Sequence, residues 1–414
     1  MKITMKINLK YHILISNLLE ILSIAVLVSP VFFMHYNIKI ITYGYLPLEF
    51  ISIFLLLRYN KWDIKINRYI VFIFCMEMFV LILTIINHRL SYSYLCMIVA
   101  TLFLTAFIVT NIKDNGRKLI FLFEHALCLL FILDVISILL CIFTGKHTND
   151  SYGLVGHKNY HAFLFILTLG FKMINKRLNE KKLVNIEIFI IAFVSIILEV
   201  VVDSMSGAVS VILLSVASFL ISKKKLKLPS LTTITMGLLI LNYILIFAIN
   251  STQWMQRLLV LMGRDAGMTG RSQMWTYALD LIARNPAYGY GYSQTVQVWS
   301  VAENTFVSNH CHNFFLNLVL TGGIPYFVVV MSFIFIVTNR IRKNKDELMN
   351  ILTYMIGCYL LLGVSEIIVN VNTMFWPLLT FGFYAQHLFR NSRRGIIEPS
   401  DELRIYYGNK KVSY

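Results

Sequence analysis

Long apolar stretches recur along this chain, near residues 12–34, 38–57, 69–87, 92–110, 119–144, 160–174, 187–202, 205–222, 231–249, 314–338, 348–369 and 371–389. A helix needs about 20 predominantly apolar residues to cross the hydrocarbon core of a bilayer. A backbone inside lipid must also satisfy its own hydrogen bonds, which favours helices. The expected fold is therefore an all-α integral membrane protein of about twelve transmembrane helices, with residues 1–414 forming one polytopic domain. Charged residues make up only 14% of the chain and hydrophobic ones 57%, where a soluble domain carries roughly a quarter charged residues. The basic start (Lys2, Lys6, Lys10) leads into an apolar run to Met34. That run is too long for a signal-peptide core and no small-residue cleavage site follows, so it reads as an uncleaved first helix.

The distribution of charge orients these spans. Lys and Arg concentrate in alternate connections: 58–68, 113–118, 172–182, 223–227, 340–345 and the tail from Arg390. The other connections carry only Lys39, Arg89, Lys146, Lys158, Arg257, Arg264, Arg271 and Arg284. Basic loops stay in the cytoplasm, so both termini are expected inside. The formal charge of +16 is thus topogenic. No basic face with interleaved aromatics points to nucleic acid. Five of the six cysteines lie in apolar spans and Cys311 stands alone, which is no disulfide framework.

Two outer connections are long. Residues 145–159 are polar and contain glycine, and residues 250–313 form a large extracytoplasmic loop. Within that loop Trp275, Ala278, Leu279 and Ile282 share a face of a helix expected over Ser272–Arg284. This helix is expected to lie on the membrane surface or to plug a cavity between spans. Asn285-Pro286 stops it, and Tyr288-Gly289-Tyr290-Gly291-Tyr292 follows.

Four arginines and no lysine in an outer loop run against the charge trend. Arginine grips phosphate oxygens with a planar fork. Arg264 and Arg271 flank a Gly-rich segment that includes Thr269, a candidate cap for the next helix. A helix N-terminus favours anions. This segment is either an outward-facing anion site, with Arg271 its leading residue, or a set of solvated arginines. At Asn309-His310-Cys311-His312-Asn313, His312 is a candidate general base. Asn313 would orient it, contact a sugar, or simply cap the next helix. Two histidines this close could also bind a metal, but no acidic pair stands nearby, so no metal and no cofactor are expected. In Gly153–Asn159, Lys158 is another outward cation, or a snorkelling residue at a helix start. Acids within lipid are costly. Most of Glu20, Glu49, Glu77, Glu124, Asp134, Glu199 and Glu366 are expected to pair between helices. Glu199, Asp203 and Glu366 lie near outer ends and are the acids an outer site can use. Trp275, Tyr288, Tyr290, Tyr292 and Trp299 either stack on sugars or anchor at the interface.

Four of these segments, in order, resemble the O-antigen ligase and Wzy-type polysaccharide polymerase superfamily. They are Gly153–Asn159 with His157-Lys158-Asn159; Ser204-Met205-Ser206-Gly207-Ala208; Thr269-Gly270-Arg271 with Trp275 and Asn285-Pro286-Ala287-Tyr288-Gly289-Tyr290-Gly291; and His312-Asn313-Phe314-Phe315-Leu316 followed by Gly322-Gly323. The resemblance covers about residues 150–325. It implies a helical fold related to the GT-C glycosyltransferases and a metal-independent enzyme in the bacterial cytoplasmic membrane. Its substrates would be oligosaccharides linked to undecaprenyl pyrophosphate, and a flippase and a chain-length regulator would work with it. By the same resemblance Arg271 holds the donor pyrophosphate and His312 activates or positions the acceptor hydroxyl, which suits an inverting displacement. His157, Lys158, Asn313, Trp275 and Glu366 would line the substrate site. The family's second basic residue is absent from Ser204–Ala208, so Arg264 or Lys158 would have to supply that charge.

The expected function is polymerisation of lipid-linked repeat units. The alternatives are a ligase that transfers the glycan to another acceptor, and a polysaccharide flippase or transporter. Twelve spans with both ends inside suit a transporter, but no repeat symmetry or interrupted midplane helix is apparent. The richness in Ile, Asn and Lys suits a low-GC bacterium. If that cell has a single membrane, lipid A is excluded and polymerase is favoured.

Overall fold

The computed structural model describes residues 2–28, 44–88, 90–145, 151–154, 156–180, 184–223, 229–248, 271–292, 298–300, 305–308, 311–343, 347–368 and 373–390. The helices in chain order are α1 (Lys2–Val28), α2 (Leu46–Tyr59), α3 (Arg68–Ile86), α4 (Tyr92–Asn111), α5 (Gly116–Thr144), α6 (His161–Glu180) and α7 (Ile186–Val201). They continue with α8 (Met205–Lys223), α9 (Leu231–Ala248), α10 (Arg271–Arg284), α11 (Phe314–Arg342), α12 (Glu347–Leu362), α13 (Phe375–Phe383) and α14 (Ala385–Arg390). Five of them, α3, α4, α5, α8 and α11, are long and apolar enough to cross a membrane. Large apolar side chains such as Phe54, Phe143, Phe193 and Ile240 remain exposed, as expected where lipid rather than water covers the helix. The chain is a multi-pass helical membrane protein.

Two expectations need correction. The stretch 348–369 is helical only to Leu362; residues 363–368 leave the helix. The stretch 371–389 contains two short helices that meet at Tyr384. Two connections also contain short strand pairs. Ser151–Tyr152 (β1) pairs antiparallel with Gly156–His157 (β2), and Val298–Ser300 (β3) with Thr305–Ser308 (β4). Short extended pairs satisfy backbone groups in connections that lie outside any helix.

The loop helix appears where its apolar periodicity predicts it. Met274, Trp275 and Ala278 of α10 pack on Ile246 of α9 and on Leu316 and Leu320 of α11, forming a small core of their own. Its opposite face carries the exposed ion pair Arg284–Asp280 at 2.6 Å.

The chain after α10 docks into a break in α11. Gly322 and Gly323 depart from helical geometry, and Pro325 follows inside the helix. Pro325 has no N–H to donate to Thr321. That carbonyl instead accepts from the Gly291 N–H at 2.9 Å, and the Leu320 carbonyl accepts from the Tyr290 N–H at 2.6 Å. The Ile324 N–H, displaced from Leu320, donates to the Pro286 carbonyl at 2.8 Å. Three backbone groups at the break thus find partners in the inserted segment. Two glycines make this approach possible. Gly289 (φ +66°) would place a Cβ 2.5 Å from the Leu320 oxygen, and a Cβ on Gly323 (φ +74°) would collide with the Ala287 carbonyl.

Candidate active site

The irregular segment after α12 carries Glu366, which is fully buried. Its carboxylate accepts from Asn159 Nδ2, from Arg271 Nη2 at 3.4 Å and meets His312 Nδ1 at 3.2 and 3.1 Å. Asn159 lies in the short 3₁₀ turn Lys158–Tyr160 that leads into α6. Arg271 is the first residue of α10, and His312 precedes the cap of α11. Three segments distant in sequence thus converge on one carboxylate. The side chains of Arg271 and His312 remain 21% and 16% exposed, so neither is sealed in the core.

Local chemistry explains the placement of His312. Asn313 caps α11: its side-chain oxygen accepts from the Leu316 N–H at 3.0 Å. Its amide donates to Asn242 Oδ1 at 2.6 Å and to the Val364 carbonyl at 3.1 Å. Beside it the Phe314 N–H donates to the Gly363 carbonyl at 2.6 Å. His312 itself has a left-handed backbone, φ +45°, uncommon for a residue with a Cβ and sustained only when the surroundings over-determine it. Cys311 is fully buried, and burial pushes its thiol up to about 12. It is therefore protonated and no nucleophile.

The other expected site residues divide clearly. Lys158 reaches Asp203 at 3.7 Å and is 20% exposed, in the same short turn as Asn159. Trp275, expected as a sugar platform, is instead 1% exposed, and its indole donates to the Cys311 carbonyl at 2.9 Å. It props the His312 segment. Tyr292 is likewise buried and stacks on Tyr94 with ring centroids 4.2 Å apart, while Tyr288 is exposed. Glu366, expected to bind substrate, faces protein donors in a fully buried setting. Asn313 forms a cap and a buried network rather than an open contact. Arg257, Arg264, Thr269 and His310 lie outside the described residues, as does the side chain of His157. Among the described residues no three of His, Cys, Asp and Glu are arranged to hold a metal ion.

A carboxylate fills the space beside Ser204–Ala208. Glu199 is fully buried, and its Oε2 lies where a Cβ on Gly207 would fall. Several acids within spans pair between helices as expected. Glu20 binds Lys118 at 2.7 Å, Glu77 accepts from Trp376 Nε1 at 2.6 Å, Glu124 binds Lys172 at 2.9 Å and Asp134 binds His161 at 2.6 Å.

Two participants escaped sequence reasoning as site residues, Asn159 and Asn242. Asn159 closes the His-Lys-Asn motif, and Asn242 is a lone amide in an apolar helix. An intramembrane polar residue of that kind is a functional signal.

Comparison with known proteins finds similarity at the level of sequence. Residues 188–331 match the O-antigen ligase family model, a segment that contains Arg271, His312 and the break in α11 but neither Asn159 nor Glu366. Over 271 residues the chain is 26% identical to the "ComP-specific O-oligosaccharyltransferase" of Acinetobacter baylyi, covering 60% of this chain and 48% of that protein. The chain therefore spans about half the length of the curated relative it matches. No solved structure matches. By its motifs, the family model and this relative, the chain is related to the O-antigen ligase and Wzy-type polymerase superfamily.

Proposed function

We propose that this protein transfers an oligosaccharide from undecaprenyl pyrophosphate to an acceptor sugar hydroxyl on the outer face of the bacterial cytoplasmic membrane. The observation that carries this reading is the attachment of Arg271 and His312 to one buried carboxylate. It joins an anion-gripping cation and a candidate base, both partly exposed.

In this reading twelve spans with both termini in the cytoplasm put the large loop outside, and the fold is related to the GT-C class. Arg271 holds the donor pyrophosphate, with Lys158 or Arg264 adding a second positive charge, and His157 and Asn313 shape the pocket. The acceptor oxygen attacks the anomeric carbon of the donor sugar. A new C–O bond forms, the bond to pyrophosphate breaks, and its electron pair leaves on the phosphate oxygen. His312 takes the hydroxyl proton. Preorganised positive charge in a partly dry site stabilises the developing phosphate charge more effectively than water does. The reaction inverts the anomeric centre and needs no metal.

The acceptor divides two readings. In the first it is another lipid-linked repeat unit, so the enzyme is a polymerase of capsular polysaccharide, exopolysaccharide or O-antigen, working with a flippase and a chain-length regulator. In the second it is a different macromolecule, a reading favoured by the similarity to a protein named as an O-oligosaccharyltransferase.

The test compares lipid-linked glycans in cells carrying the wild-type chain or His312→Ala at equal expression. Loss of the long ladder with accumulation of single repeats supports polymerisation. An unchanged ladder with loss of glycan from another acceptor supports the second reading. Repeats trapped on the cytoplasmic face would indicate transport and overturn both.

A further inference from the structure

We infer that Trp275 is a positioning residue: its indole N–H fixes the peptide plane ahead of His312 and so sets the His312 side chain at a defined separation from Arg271. This rests on the transfer reading above, in which Arg271 holds the donor and His312 serves the acceptor.

Trp275 Nε1 donates to the Cys311 carbonyl at 2.9 Å, and both residues are buried. That carbonyl belongs to the same planar unit as the His312 backbone nitrogen. Holding it therefore holds the plane from which the His312 φ is measured. The angle is +45°, a left-handed value that a residue with a Cβ keeps only where its surroundings impose it. On the other side Asn313 is anchored by its cap on Leu316 and by its bonds to Asn242 and Val364. With both neighbours held, the direction in which the His312 side chain leaves the backbone is held too.

The same bond ties this turn to α10. Arg271 and Trp275 are four residues apart on that helix, so they share a face and stand about 6 Å apart along its axis. Arg271 meets Glu366 at 3.4 Å and His312 meets it at 3.1 Å. The helix and the turn are thus joined twice, directly through Trp275 and indirectly through Glu366, and the two links close a ring. Around the indole, Met274, Ala278, Ile246, Leu316 and Leu320 form an apolar core. Any large aromatic ring suits such a core; the N–H is what tryptophan adds over phenylalanine.

The experiment uses full-length protein in lipid nanodiscs. The donor is lipid-linked oligosaccharide extracted from cells deleted for the chain, and the acceptor is the one that the cell comparison above identifies. Initial rates against donor concentration are measured for wild type, Trp275→Phe, Ile246→Val, His312→Ala, and protein with benzothienylalanine at position 275. This last residue keeps the outline of the indole and carries sulfur in place of the N–H. It is also placed in the His312→Ala background. A misplacement of about 1 Å costs a reaction about 100-fold. Benzothienylalanine is expected to lower kcat by about 10- to 100-fold, with donor KM changed by less than about threefold. Trp275→Phe lowers kcat at least as much. Ile246→Val, which trims the same core and leaves the hydrogen bond, keeps kcat within about twofold of wild type. In the His312→Ala background benzothienylalanine costs less than about twofold, because no ring remains to be aimed.

Wild-type kcat with benzothienylalanine overturns the inference. So does a loss that persists in full in the His312→Ala background, which marks a structural role independent of the histidine. An equal loss in Ile246→Val also overturns it, since packing and not the hydrogen bond would then be responsible. Where Trp275→Phe melts too low to assay, the isostere decides, because it preserves the shape of the core. A fully active His312→Ala defeats the transfer reading itself, an outcome distinct from failure of the Trp275 role.

Discussion

The backbone N–H of Tyr290 donates to the carbonyl of Leu320 at 2.6 Å, taking the place that Ile324 would hold in a continuous α11. Through this hydrogen bond and its two neighbours, the segment that ends α10 is stitched into a spanning helix. Arg271, at the other end of α10, is thereby set beside Glu366.

Closing that junction sterically should loosen the site. Gly323→Ala puts a Cβ against the Ala287 carbonyl in a left-handed conformation, a change that destabilises by more than about 1 kcal/mol. The melting temperature of the solubilised protein is expected to fall and glycan transfer to drop with it. Gly237→Ala meets nothing within 4 Å and should leave both unchanged.

Arg271→Lys preserves the charge but removes the planar fork. A lysine reaches either Glu366 or a phosphate oxygen as a point charge and cannot grip two oxygens at once. Transfer is expected to fall by about tenfold or more, most of it in donor KM. Rates against donor concentration in nanodiscs check this, and a wild-type KM would remove Arg271 from donor binding.

Asn313 serves two ends of one network. Asn313→Asp keeps the cap on Leu316 but turns the donor toward Asn242 Oδ1 and the Val364 carbonyl into a further acceptor. Buried groups left without partners cost about 1–3 kcal/mol each. Chemical denaturation should show a loss in that range for Asn313→Asp, and Asn242→Ala should lose less because it removes only one partner.

The thiol of Cys311 gives a pH-dependent readout. Burial raises its pKa to about 12, above the unfolded value of about 8.5. The resulting stabilisation is full below the unfolded pKa and is lost as pH rises toward 12. At pH 8 iodoacetamide should leave Cys311 unmodified in folded protein and label it after denaturation, as peptide mass spectrometry would report. Labelling of the folded protein would mean that the His312 segment opens.

Apolar run length and loop charge are properties of the chain in one dimension. They were enough to locate most of the helical stretches, and apolar periodicity added the loop helix over 272–284 with its buried Trp275 face. Lipid explains this legibility, since inside it a chain has few options other than a helix.

Only the tertiary structure decided what those residues do for one another. Glu366 and Asn159 lie 207 positions apart, and Glu366 sits in a stretch whose apolar pattern reads as helix to its end. The helix stops at Leu362 because the following carbonyls of Gly363 and Val364 are claimed by Phe314 and Asn313, a competition invisible to local pattern. The glycines and prolines of 285–292 and 322–325 show no such link in the sequence, where 314–338 reads as one uninterrupted span. Their shared role exists because the carbonyls released by one are satisfied by the amides of the other, a pairing that depends on distance in space and not along the chain.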